Sequence, residues 1–353
     1  MVLRATIGGL VVAAAAATIN DTTTHTFLSI GDWGGASINE HAQATHAVAA
    51  ALEKVATATS PQLVVNTGDN FYWCGLVDAQ DKQVQTDWVD TYATPALKHL
   101  PWYNSLGNHE YGYNVSAQIA LADAYPTWIL PARYYAKRVE IGSTGSYMSL
   151  IVLDTTPCTA AYRSDDPKEW DPCSTEFPTC SLNDGNDDFE GKCDFHANVA
   201  TQDCQAQFAW FQKALAAVPA EDWLVVVGHS PADDVDVVDI VGAMQTRGFD
   251  LYLNGHVHTL TQYTVDGAGA YVTTGAGSMV ATHDQDQGTV PEKRNGGDPV
   301  ADGGRHSYKT VWNSKVAGFT LHTFSADLKE LTTDFYDYTG AVVHSFTVTK
   351  RGA

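Results

Sequence analysis

The chain has 353 residues, 44% of them hydrophobic, enough to bury a full core as one large domain or two small ones. Its 41 acidic residues stand against 20 basic ones, a formal charge of −21 that argues against a nucleic-acid-binding surface. Such a balance fits a soluble, secreted protein. At the amino end Arg4 precedes an apolar stretch over 7–17 that closes on small residues. That is the layout of a secretory signal peptide, 1–17, with an Ala-x-Ala-like cleavage site near Ala17. The stretch is too short for a bilayer span, which takes about 20 apolar residues, and no other run approaches that length. No stable membrane anchor is therefore expected.

Strand-like apolar runs follow at 25–30, 63–67, 102–106, 147–153, 223–227, 251–254 and 270–274. Helical patterning lies between them at 41–55, 84–99, 117–124, 202–217 and 235–247. Strands alternating with helices predict an α/β fold with substantial parallel pairing. After Gly275-Ala276-Gly277 comes a Gly/Asp-rich loop over roughly 281–306. Three alternating runs at 318–324, 330–336 and 341–348 then predict an antiparallel meander. No repeat or linker divides the chain, so one domain over 24–350 is expected.

Five of the six cysteines (Cys158, Cys173, Cys180, Cys193 and Cys204) fall in an irregular Gly/Asp/Pro-rich stretch, about 157–204; the sixth is Cys74. An even count in a secreted chain indicates disulfides stapling a long loop, although sequence does not choose among fifteen pairings. A zinc knuckle lacks its Cys-x-x-Cys spacing here. Asn20 (Asn-Asp-Thr) and Asn114 (Asn-Val-Ser) are N-glycosylation sequons.

Five short polar blocks each follow an apolar run: Gly31-Asp32-Trp33-Gly34, Gly68-Asp69-Asn70-Phe71-Tyr72, Gly107-Asn108-His109-Glu110, Val227-Gly228-His229 and Gly255-His256-Val257-His258. Taken singly each has a plain explanation, since Asp and Asn form turns and caps and a lone His is usually packed or exposed. Turn formation gives no reason for Asp, Asp/Tyr, Asn/His, His and His/His to end successive strands. In α/β sheets, however, ligands bind beyond the carboxyl ends of strands. Asp32, Asp69, Tyr72, Asn108, His229, His256 and His258 are the right kind and number of donors to hold two metal ions.

These blocks, in this order, resemble the metallophosphoesterase superfamily, and Tyr72 narrows the likeness to the purple acid phosphatases. Similarity to the small, mammalian-type, tartrate-resistant acid phosphatases extends to Pro101-Trp102-Tyr103 and to Asn114-Val115-Ser116-Ala117-Gln118-Ile119-Ala120. It covers most of 25–350, the cysteine-rich stretch excepted. The resemblance implies a four-layer α-β-β-α sandwich of two mixed sheets. It implies a ferric site held by Asp32, Asp69, Tyr72 and His258, and a divalent site (Fe(II), Zn or Mn) held by Asp69, Asn108, His229 and His256, with Asp69 bridging. Carboxylates and a phenolate favour Fe(III), while imidazoles and an amide oxygen suit the divalent ion. Two ions about 3.5–4 Å apart clamp a phosphate and lower the pKa of bound water.

The expected reaction is attack of a metal-bound hydroxide on small-molecule phosphomonoesters by a secreted, monomeric acid phosphatase, extracellular or in a lysosome-like compartment. His109 is the candidate catalytic residue, binding phosphate or protonating the leaving oxygen, with orientation of a ligand or water as its rival role. A phosphodiesterase or nucleotide pyrophosphatase of the same superfamily, and a catalytically silent surface protein retaining the fold, are the alternatives.

Two departures stand out. Glu110 replaces the Asp usual in the animal enzymes, a change expected to be tolerated. After His229 those enzymes carry an acidic residue and a His near the leaving group, whereas Ser230-Pro231-Ala232-Asp233-Asp234 here offers no His. That leaves leaving-group protonation in doubt, and Asp233 is expected to cap a helix. The 157–204 stretch is expected to be a disulfide-stapled surface insert, with shaping of substrate access as the alternative.

Overall fold

Apolar runs without alternation become the central strands of two sheets, and most alternating runs lie toward their margins. The computed structural model describes residues 24–36, 44–164, 170–174, 193–280 and 305–352. The signal peptide, Asn20, Cys180 and the loop over 281–304 lie outside the described residues.

The first sheet contains β1 (Thr26–Ile30), β2 (Val64–Asn66), β3 (Trp102–Asn104), β4 (Trp128–Ile129), β12 (Gly318–Phe324), β13 (Glu330–Asp337) and β14 (Val342–Thr349). Its order is β14-β13-β12-β1-β2-β3-β4. β1 to β4 run parallel, and the meander joins antiparallel through β12 on β1. The second sheet contains β5 (Tyr135–Glu140), β6 (Tyr147–Val152), β7 (Trp223–Val227), β8 (Leu251–Asn254), β9 (Leu260–Val265), β10 (Ala268–Thr274) and β11 (Tyr308–Ser314), in the order β11-β9-β10-β8-β7-β6-β5. Here β6, β7, β8 and β10 are parallel and the remaining pairings antiparallel. Both sheets are mixed, as the resemblance implies.

Side-chain alternation sorts the second sheet's residues into two layers. Leu150, Val152, Val225, Val227, Leu251 and Leu253 join the core shared with the first sheet. Ile151, Leu153, Leu224, Val226 and Tyr252 pack instead with Phe211 and Leu215 of helix Cys204–Ala217 and with Ile240, Val241 and Met244 of helix Ile240–Arg247. On the other side, helix Thr45–Thr59 buries Val48, Leu52 and Val55 against the first sheet. The layers are therefore helix, sheet, sheet, helix.

Several elements differ from the sequence expectation. The helix over 84–99 is a π-helical turn, Val84–Val89, running into Asp90–Tyr92. It stops before Thr94-Pro95, because a proline disfavours helical backbone in the residue before it. The helix over 235–247 begins only at Ile240, where Asp239 Oδ1 accepts from Gly242 N at 2.7 Å. Asp233 sits instead in a short 3-10 turn, Ala232–Asp234, and does not cap that helix. Strands β4, β5, β9 and β11 carried too little apolar signal to stand out. Asn114, by contrast, is an exposed helix N-cap, accepting from Ser116 N at 3.1 Å.

One buried group gives the fold an acid-sensitive element. His322 stacks on Phe27 with ring centroids 4.4 Å apart, and its nitrogens lie 2.9 Å from the hydroxyls of Ser29 and Thr333. Burial lowers its pKa from 6.5 to about 3. Between those values the unfolded chain binds a proton the folded chain refuses. The contribution of His322 is therefore complete above pH 6.5 and falls by about 1.4 kcal/mol per pH unit as pH drops toward 3. His322→Gln should flatten the decline of melting temperature between pH 6.5 and 4, though it lowers stability at neutral pH. An unchanged slope would remove this assignment.

Candidate metal centre

Each polar block is the connection leaving a parallel strand at its carboxyl end. Asp32 follows β1, Asp69 and Tyr72 follow β2, and Asn108 and His109 follow β3, which are neighbours in the first sheet. His229 follows β7, and His256 and His258 follow β8, neighbours in the second. Facing of the sheets brings the two sets together, and none of the seven candidate donors is more than 8% exposed.

The backbone is bent to do this. Asp32 (φ 53°), Asp69 (φ 51°), His256 (φ 74°) and His258 (φ 51°) all adopt the left-handed region. Such conformations cost about 1–3 kcal/mol each and persist where surroundings over-determine them. Close approach also explains two glycines. A Cβ on Gly107 would overlap the Asp69 carboxylate, and one on Gly255 the Asp32 carboxylate.

Asp69, His229 and His256 each bring one ligand atom within 4.8 Å of the others, and so do Asp32, Asp69 and His258. The two groups share Asp69. Tyr72 Oη lies 2.9 Å from His258 Nε2 and 3.4 Å from both Asp32 Oδ1 and Asp69 Oδ2. His229 Nε2 lies 3.1 Å from Asp69 Oδ2 and 3.0 Å from Asn108 Oδ1. Its Nδ1 is 2.9 Å from Thr67 O and must donate to that carbonyl, so the lone pair of neutral His229 faces two oxygen acceptors.

Either a proton on Nε2 or a cation among the donors answers that lone pair. Burial raises the Tyr72 phenol well above its ordinary value, and Asp32 and Asp69 push it further. Burial likewise raises Asp32. Burial opposes charge on Asp69 too, yet His229 and His109 hold it below the usual carboxylate range. Against burial, Asp69 and Asp32 lift His229 to about 9, while burial lowers His256 to about 3 and His109 to about 4. Donors this crowded and this deeply buried are costly unless something positive sits among them.

The remaining contacts define the surroundings. His109 N donates to Asp69 Oδ1 at 3.1 Å, and its Nδ1 lies 2.6 Å from Trp73 O. His109 Nε2 is 3.9 Å from Asp69 Oδ2 and, like Asn108 Nδ2, is buried with no hydrogen-bond partner among the described residues. Beneath the blocks, Asn66, Asn70, Asn104 and Gln118 form a buried amide network that also accepts from Trp33 Nε1.

Three features escaped the sequence. Glu110 accepts from the backbone N–H of Asp69 (3.1 Å), Asn70 (2.8 Å), Phe71 (3.2 Å) and Gly107 (2.5 Å), fastening the second block to the third. Asp154, just after β6, pairs with Arg133 at 2.9 Å and with the Tyr111 hydroxyl. Third, the 157–204 stretch is more than a surface insert. Disulfides Cys158–Cys204 and Cys173–Cys193 brace it, and Cys74 is disulfide-bonded as well. Asn198 Nδ2 donates to the carbonyls of Tyr111 (2.9 Å) and Tyr113 (3.1 Å), next to the third block. The Tyr162 hydroxyl reaches 3.4 Å from His256 Nε2, and Trp170 packs edge-to-face on His109 with centroids 5.0 Å apart. Nothing in a Gly/Asp/Pro-rich run announces such a return to the site.

Comparisons with known proteins agree with this geometry. Residues 25–260 match the calcineurin-like phosphoesterase family. Tartrate-resistant acid phosphatase type 5 of Mus musculus is 31% identical over 283 residues, 76% of this chain and 77% of the relative. Purple acid phosphatase 17 of Arabidopsis thaliana is 25% identical over 92% of this chain and 84% of its own. Among solved structures, GAP50, the anchor in the inner membrane complex of Plasmodium, has a TM-score of 0.64 at 18% identity, covering 93% of this chain and 90% of its own. Purple acid phosphatase PPD1 from yellow lupin seeds has a TM-score of 0.53 at 14% identity, covering 94% and 54%. These two structural likenesses concern the fold alone. With a family match over most of its length and relatives of this identity, the chain belongs to the calcineurin-like phosphoesterases, in their purple acid phosphatase branch.

Proposed function

We propose that the protein is a secreted binuclear acid phosphatase that hydrolyses small phosphomonoesters. The observation that carries this reading is the pair of buried donor groups sharing Asp69, one of them flanked by the Tyr72 hydroxyl. Asp32, Asp69, Tyr72 and His258 would hold Fe(III); Asp69, Asn108, His229 and His256 would hold Fe(II), Zn or Mn. When bound, the two ions supply Lewis-acid activation of phosphorus and of water.

The chain's own groups then divide the remaining work. Asn108 Nδ2, without a hydrogen-bond partner among the described residues, presents an N–H to a phosphoryl oxygen. His109, its Nδ1 committed to the Trp73 carbonyl, holds or releases a proton at Nε2. The enclosing aromatic residues exclude bulk water, which strengthens every charge interaction inside. Residues 1–17 as a secretion signal, one domain over 24–350 and glycans on Asn20 and Asn114 complete the proposal. The disulfides support an oxidising compartment.

GAP50 shares the fold and is described as an anchor, so the fold does not decide between enzyme and silent scaffold. The intact donor set favours the enzyme. Metal analysis and a visible spectrum of the purified protein, with rates on 4-nitrophenyl phosphate and its bis ester, test the reading together. Iron plus a second metal, a visible band lost in Tyr72→Phe, and faster monoester turnover are expected. A colourless, iron-free, active preparation removes the ferric assignment, and faster diester turnover removes the monoesterase.

A further inference from the structure

The 157–204 stretch brings polar groups into the site that the five blocks do not contain. Trp170 is the most telling. Its indole ring rests against His109 (5.0 Å), Phe195 (5.2 Å) and Tyr162 (5.8 Å). Its Nε1 is sealed from solvent and has no hydrogen-bond partner among the described residues. Buried indole N–H groups ordinarily find an acceptor, and one left without costs stability. Two further buried polar atoms without partners, Asn108 Nδ2 and His109 Nε2, belong to the neighbouring third block. Indole and amide each present an N–H donor of the kind that a ligand rich in acceptor oxygens satisfies.

Among its described residues the stretch is tied to the fold on both sides of Trp170. Disulfide Cys173–Cys193 closes three residues beyond Trp170. Asp194 N donates to Gly112 O at 3.1 Å, and Asn198 ties helix Phe195–Ala200 to the carbonyls after Glu110. Arg163 binds the carbonyls of Pro157 (3.1 Å) and Gln202 (3.0 Å), drawing the two ends of the stretch together.

We propose that Trp170 is a substrate-binding residue, its Nε1–H donating to a phosphoryl oxygen beside Asn108 and His109. The proposal rests on the phosphatase reading above. It assigns the cysteine-rich stretch a direct part in substrate binding, through the group common to all phosphomonoesters rather than through the leaving alcohol.

Trp170→Phe keeps an aromatic ring against His109 and removes only the N–H. In the full-length, metal-loaded protein the variant should bind inorganic phosphate about tenfold or more weakly, the scale of a hydrogen bond to a charged group. That loss is to be read by calorimetry and by competitive inhibition. KM should rise by a similar factor for 4-nitrophenyl phosphate and for glycerol 2-phosphate alike. Unchanged phosphate affinity in a variant with wild-type metal content would overturn the proposal. So would a loss confined to one leaving group, which would place Trp170 against the alcohol. Should Trp170→Phe misfold, Trp170→His retains a ring N–H and must restore at least part of the phosphate affinity that Trp170→Leu loses. If wild-type protein neither binds phosphate nor hydrolyses either ester, the phosphatase reading itself has failed; an active wild type beside an unaffected Trp170→Phe condemns only the assignment of Trp170.

Discussion

Asp69→Asn should abolish turnover and deplete both metals while leaving the protein folded. Asp69 is the one residue common to both donor groups. Its carboxylate also receives His109 N and faces His229 Nε2. Asparagine keeps the shape and one carbonyl oxygen but removes the negative charge, so neither group retains its anionic bridge. It also tolerates the left-handed backbone that Asp69 adopts (φ 51°), better than almost any other non-glycine residue. Loss of activity is expected to be at least about 10²–10³-fold, the scale seen when one preorganised electrostatic group is removed from a water-excluded site. Circular dichroism should remain that of the metal-free wild type. Retained activity with full metal content would break the bridging assignment.

Glu110→Gln should damage both stability and turnover without touching a candidate ligand. Two carboxylate oxygens of Glu110 serve four backbone N–H groups, on Gly107 and on consecutive residues 69–71. Glutamine offers one oxygen and points an amide N–H₂ at donors that need an acceptor. Stranding buried N–H groups costs about 1–3 kcal/mol each, so a loss of about 2–5 kcal/mol is expected from the denaturant midpoint. Because the displaced segment carries Asp69 and leads into Tyr72, kcat should fall about tenfold to a hundredfold. A wild-type midpoint would show that the loop is held by other means. Glu110, expected from the resemblance to be a tolerated change, is thus the residue that fastens the second block to the third.

The site was largely legible because its scaffold is made of buried parallel strands. Such strands are continuous apolar runs, and a polar residue just past Ile30, Asn66, Asn104, Val227 or Asn254 stands out against them. All five runs carrying blocks were legible to within a residue or two of the observed ends, and the register of β1, β2 and β3 then aligned the blocks. What lay beyond the sequence has a common physical cause. β4 has two residues, and β5 reads Tyr-Ala-Lys-Arg-Val-Glu with one face in solvent, so neither exceeds the background of loops. Glu110 acts on backbone some 40 positions away, and backbone N–H groups leave no trace in a sequence. Trp170 and Tyr162 sit among Asp and Pro residues with no period to say where their rings will land.

The donors come from opposite halves of the sandwich. Asp32, Asp69, Tyr72 and Asn108 leave the first sheet, and His229, His256 and His258 leave the second, so each donor group takes members from both. An ion in either group would therefore add a cross-link between two layers already joined by apolar packing and by hydrogen bonds such as Thr274 Oγ1 to Ser29 O and Tyr135 Oη to Asn104 O. Metal affinity and cohesion of the sandwich become one linked quantity, since whatever binds only the assembled sheets stabilises their assembly. Chelation should accordingly loosen the seam between the layers first, well before either sheet frays along its own hydrogen-bonded strands.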